Sequence, residues 1–202
     1  MDVRNIPYQR FCWVIGTTSF RTAKLNLRIE EQLLLLNEFH DNYVRHHKTW
    51  QWNRSTQEEY YDFMRTKGFL TGNALRKDKD AREKTSGLVN IGLITADRVL
   101  TPAGKELLSI AEAADFKKER RFNIDKDSFV YFKQLLKTTI KVNDTLVRPY
   151  IILTKALVEL ESLSFDEFTY LLPLAITEET TENIIAKIRE LRHGRVNIDD
   201  II

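Results

Sequence analysis

The chain has 202 residues, 43% hydrophobic and 30% charged, with a formal net charge of +2. That balance excludes a disordered chain, and the length allows one large domain or two small ones. The single cysteine, Cys12, excludes an internal disulfide, and no apolar run approaches the roughly 20 residues that span a bilayer.

The charge is unevenly spread: residues 1–150 carry +7 and residues 151–202 carry −5. This predicts a front that faces a polyanion and an acidic rear. The start, MDVRNIPYQR, has no apolar signal core, so the expected location is cytoplasmic, with no membrane partner.

Residues 11–22, FCWVIGTTSFRT, read as a short strand-like run followed by a polar loop. Thr17, Thr18, Ser19 and Arg21 in that loop suit phosphate contacts that set register on a duplex; the competing reading is a plain surface turn. Leu25, Ile29, Leu33, Leu36 and Phe39 then recur at three- and four-residue steps, one stripe of an amphipathic helix. Trp50 and Trp52 lie in a polar connection and are expected to pack between the first two helices. Ser55 three before Glu58, and Thr56 three before Glu59, signal a second helix start, with Gly68 as its stop.

The segment KDKDAREKTSGLVN opens a third helix at Lys77. One side of its wheel holds Ala81, Lys84, Thr85, Leu88, Ile91 and Gly92; the other holds Lys79, Arg82, Glu83, Ser86 and Asn90. After it, GLIT-ADR-VLT reads as strand, turn, strand, and Thr101-Pro102 caps a fourth helix. Helix, helix, polar-faced helix, hairpin and helix is the order of a winged helix-turn-helix, whose third helix lies in the major groove. Arg82, Ser86, Asn90 and Lys79 are then the candidate base readers, and Lys84, Arg76 and Lys77 candidate phosphate contacts. The competing reading is a solvated face with pairs such as Lys79–Glu83.

The basic stretch around Lys117, Lys118, Arg120 and Arg121 either tracks a nucleic-acid backbone or is a solvated linker, and it marks the expected boundary between domains 1–121 and 122–202. Helices are predicted over 129–140, 149–160, 164–172 and 179–191, with a capping box from Ser164 to Glu167. This block reads as a second helix-turn-helix without a legible wing. The predicted fold is mainly α, with tandem winged-helix subdomains.

No Gly-rich phosphate loop, no nucleophile–His constellation and no metal-ligand spacing is present, so no catalytic or metal-binding residue is predicted. His46 and His47 are adjacent and point apart, and Cys12 is expected to be a packed thiol.

The segments CWVIGTTSFRT, DAREKTSGLVNIGLIT…RVLTPAGKELL and RPYIILTKALVELESLSFDEFTYLLPLAI, in that order, resemble the AlwI-type restriction endonucleases and their strand-nicking relatives. The resemblance implies the N-terminal recognition region of a type IIS enzyme of FokI-like architecture. Its Mg2+-dependent nuclease domain or subunit would be absent from this chain, which needs no cofactor itself. The expected partner is double-stranded DNA, bound as a monomer on an asymmetric site. Two alternatives stay open: a free-standing winged-helix transcription regulator, which would dimerise on a palindrome, and a helical protein-interaction domain.

Overall fold

The computed structural model describes residues 12–15, 25–47, 49–113, 118–119, 124–125 and 126–201. The protein is mainly helical, with two small antiparallel two-stranded sheets. The chain divides into two compact units, Gly16–Leu135 and a second made of Met1–Ile15 with Leu136–Ile202. The basic stretch alone suggests a division at 121/122.

In the first unit, α1 (Leu25–His47), α2 (Arg54–Thr66), α3 (Lys77–Asn90) and α4 (Pro102–Glu112) surround one core. Ile29, Leu33, Leu36 and Phe39 form the buried stripe of α1, as their spacing requires. Tyr60, Tyr61 and Met64 from α2 and Ala81 and Leu88 from α3 meet them. Trp50 and Trp52 stack at 6.1 Å against this cluster, the packing role expected of them.

The start of α2 differs from the expected cap. Asn53, with extended backbone, accepts from the Thr56 amide at 3.1 Å, which places Ser55 and Thr56 inside the first turn. At the other end Gly68 adopts φ +75°, the left-handed stop that its sequence position predicts.

The ribbon after α3 is shorter than the predicted hairpin. One bridge, Ile94 to Leu100, is flanked by Thr95 N–H to Val99 O at 2.8 Å and Thr101 N–H to Leu93 O at 3.0 Å. Thr101 caps α4 through the Gly104 amide at 3.2 Å, and its hydroxyl donates to Gly92 O at 2.7 Å. The same residue thus starts one helix and holds the exit of another. Gly92 itself has φ +72°, and a Cβ there would lie 2.9 Å from Gln134 Nε2. Gln134 comes from α5 (Lys126–Lys137) and donates to Ile91 O at 3.1 Å and Gly92 O at 3.0 Å. Strands β1 (Lys118–Glu119) and β2 (Ile124–Asp125) pair just before α5, which starts and ends three residues earlier than the predicted helix.

The second unit holds a hairpin that the sequence reading missed. Strands β3 (Ile140–Val142) and β4 (Thr145–Val147) pair antiparallel around Asn143, at φ +50°. Asn tolerates that left-handed conformation better than most residues, which favours the tight turn. Helix α6 (Pro149–Leu160) comes next, then a π turn over Glu167–Leu171, a 3-10 turn over Leu172–Leu174, and α7 (Glu178–Arg192). The Ser164–Glu167 capping box forms reciprocally, at 2.7 and 3.2 Å. The π and 3-10 turns after this box replace the predicted α-helix, and Pro173, which has no N–H to donate, lies in the 3-10 turn.

Residues 12–15 are not a strand. Trp13 is 2% exposed, its amide donating to Pro173 O at 3.1 Å and its indole N–H to Ala175 O at 2.8 Å. Trp13 is therefore part of the second unit's core.

Candidate nucleic-acid interface

Helix α3 has a buried and an exposed face; of the expected inward residues Ala81, Thr85 and Leu88 are buried, Lys84, Ile91 and Gly92 only half-buried, and Asp78 and Gly87 join the buried side. Lys79, Arg82, Glu83 and Asn90 are exposed. Ser86 is half-buried, and its hydroxyl donates back to Glu83 O at 2.7 Å, leaving oxygen lone pairs outward. Lys79, Arg82, Ser86 and Asn90 thus fall along one stripe, because residues three, four and seven apart share a helix face.

The stripe is not uniformly unpaired. Lys79 lies 3.5 Å from Glu83, an exposed pair of the kind that contributes only a few tenths of a kcal/mol, roughly 0.3–0.5. Arg82 Nη2 lies 3.4 Å from Asp78 Oδ2, and Arg76 Nη2 lies 3.0 Å from the same oxygen. The Arg76 guanidinium, with smaller help from the Lys79 amide and Arg82, holds the Asp78 carboxyl below the usual carboxylate range despite its burial.

The other candidate phosphate contacts are dispersed. Lys77 is bound to Asp62 at 2.8 Å, and Lys84 is half-buried seven residues further on, on the flank nearest the core. The Lys84 carbonyl accepts from Gln32 Nε2 at 2.9 Å, which fastens α3 to α1. Thr17, Thr18, Ser19 and Arg21 lie outside the described residues, as do residues 117, 120 and 121.

The structure adds Arg98, which the sequence reading did not single out. It sits on the turn between Ile94 and Leu100 with φ +60°. Its Nε donates to Thr85 Oγ1 at 2.9 Å, and the guanidinium lies 5.4 Å from the Trp52 ring centroid. Burial, and then repulsion from Arg82, lower its pKa. The turn therefore delivers a second arginine beside the α3 stripe. Its only sequence signal was a cation inside a tight turn.

Among its described residues the second unit presents an acidic helix face instead. The outer side of α7 carries Glu178, Glu179, Glu182 and Glu190, and its exposed Arg189 is bound to Glu159 at 2.9 Å. Such a surface repels phosphate. Among the described residues no three His, Cys, Asp or Glu side chains could hold a metal ion together. The Mg2+ implied by nuclease chemistry finds no fitting donor set there, and no hydrolytic step is assigned to them. No helix among the described residues is long and apolar enough to cross a membrane.

An exposed stripe with two cations, Lys79 and Arg82, beside a turn that carries Arg98 is a surface that a polyanion could meet. The family comparison gives the class of protein directly: residues 89–202 match the family model described as AlwI restriction endonuclease. The match covers more than half of the chain, and the chain belongs to the AlwI restriction endonuclease family. It begins at the last turn of α3, so the stripe from Lys79 to Ser86 precedes it. No curated protein and no solved structure matches the chain.

Proposed function

We propose that this chain is the sequence-specific recognition part of a type IIS-like restriction endonuclease. Its first unit acts as a winged helix that lays α3 in the major groove. Arg82, Ser86, Asn90 and Lys79 read bases, while Arg76, Lys77, Lys84 and the loop with Thr17, Thr18, Ser19 and Arg21 hold phosphates. Cleavage belongs to a Mg2+-dependent nuclease domain or subunit beyond these residues. The chain binds an asymmetric site as a monomer.

The observation that carries this reading is the exposed stripe of α3, with Arg82 at its centre. A guanidinium offers two parallel donors to guanine O6 and N7, and Asn90 offers a donor and an acceptor to adenine. The order of three helices, a short ribbon and a fourth helix supports the winged-helix assignment.

Selection of duplexes from a random-sequence library by the full chain tests the reading. The expected result is one short asymmetric site, bound one-to-one. A palindromic site bound by two copies would favour a free-standing regulator instead. A shift with random duplex no stronger than with heparin, lost at modest salt, would favour a protein-interaction role. Leu146, Val158 and Phe165 of the second unit, at 69, 77 and 75% exposure, are the feature that speaks for that last role.

A further inference from the structure

Asp78 is an unexpected residue to find in a helix that meets DNA. A carboxylate beside the contact face repels phosphate, and burying it adds a desolvation cost. It is nonetheless 3% exposed, one residue into α3.

Its surroundings explain what it does. A single oxygen, Oδ2, faces Arg76 at 3.0 Å and Arg82 at 3.4 Å. The two arginine side chains stay 63 and 46% exposed, so each runs from a buried anchor to solvent. Arg82 uses only Nη2 for this contact, and no further side-chain partner is found for it among the described residues. Arg98 repels Arg82 from the neighbouring turn, where Thr85 and the Ala96 carbonyl hold it. Attraction to Asp78 and repulsion from Arg98 act on one guanidinium together. A long side chain that would otherwise sample many rotamers is restricted before DNA arrives.

We infer that Asp78 is a positioning residue: it orients the Arg82 guanidinium for base readout and trades nonspecific attraction for selectivity. This rests on the DNA-recognition reading above and deepens it. A simple charge argument predicts the opposite sign, because removing an acid from a basic face should tighten binding to every duplex.

The test compares the wild-type chain, Asp78→Asn, Arg82→Ala and the double variant on two probes: the duplex that wild type selects and a random-sequence duplex of the same length. Asp78→Asn should bind the selected duplex about tenfold more weakly, with a broadened preference at one base position. Its binding to the random duplex should hold or tighten. In the Arg82→Ala background, Asp78→Asn should cost no further affinity for the selected duplex. Equal tightening on both probes overturns the inference, and so does an undiminished loss in the Arg82→Ala background. Thermal melting checks that each variant is folded. If Asp78→Asn is unfolded, Asp78→Glu decides: it keeps the charge and lengthens the anchor by one methylene, so a broadened preference supports positioning and an unchanged one overturns it. A wild type that selects no sequence at all removes the DNA reading itself, which is a different failure from a wild type that selects well and an Asp78 variant that selects equally well.

Discussion

Asp78 in the first unit and Glu167 in the second are both buried acids paired with arginine, and they leave those arginines in different places. Glu167 takes Arg192 in a two-pronged grip, Nε to Oε1 and Nη2 to Oε2, both at 2.8 Å. Arg192 also donates to Leu160 O at 3.1 Å and Ser162 O at 2.6 Å. Four of the five guanidinium N–H donors are thus engaged, and they tie α7 to the end of α6. Asp78 holds Arg76 and Arg82 through one oxygen and leaves most of their donors facing water. The same kind of ion pair fastens two elements in one unit and, on the inference drawn above, aims a contact in the other. The two uses are separated by how many guanidinium donors remain unengaged.

That contrast can be broken most strongly at Glu167. Glu167→Ala leaves Arg192 without its buried partner, and should cost about 2–3 kcal/mol in urea denaturation, a buried-pair loss discounted because Arg192 is partly exposed. Affinity for the selected duplex should not change. Arg82→Ala is expected to do the reverse, weakening that affinity by about 1–3 kcal/mol and relaxing one base position, with the melting temperature held. A uniform loss across all duplexes would make Arg82 a phosphate clamp.

Acid sharpens the comparison further. Arg192 holds the Glu167 carboxyl below the usual carboxylate range. Its contribution is present above the unfolded pKa and fades as pH falls through the lower folded value, so Glu167→Ala should flatten the acid limb of the stability curve. Glu30 has the opposite sign. Burial, then Asp127, raise its pKa, and its Oε1 has no hydrogen-bond partner. Its ionised form costs stability at neutral pH, a cost that vanishes below the unfolded pKa. Glu30→Gln should therefore raise the melting temperature at pH 7, with the gain shrinking as pH falls. The smallest effect is expected from Lys79→Ala: stability within about 0.5 kcal/mol of wild type, and a small, roughly even loss on all duplexes if Lys79 meets phosphate.

Much of the first unit was legible from its sequence. The α1 stripe, the exposed side of α3, the Gly68 stop and the Thr101 cap all follow from local periodicity or terminal chemistry, which a short window contains. Asp78 was not found because an acid among lysines reads as an ordinary solvated charge. Only burial reveals its role, although its four-residue spacing from Arg82 was a usable hint. The β3–β4 hairpin was hidden by carrying the preceding helix to Ile140, although Asn143-Asp144 between Val142 and Thr145 was a turn signal. Trp13 could not have been placed: its partner Ala175 lies 162 positions away, and no local pattern encodes so distant a contact. The stretch at residues 17–21, expected to meet phosphates, lies outside the described residues.

Gln134 holds the exit of α3 through the main-chain carbonyls of residues 91 and 92. The two contacts do not use the side chains at 79, 82, 86 and 90, although at position 92 a Cβ would lie 2.9 Å from Gln134 Nε2. If α3 meets DNA as proposed, the letters at positions 79, 82, 86 and 90 can be rewritten while both carbonyl contacts stay in place: the helix is then a replaceable typeface on a fixed press, and retargeting trials belong at those four positions.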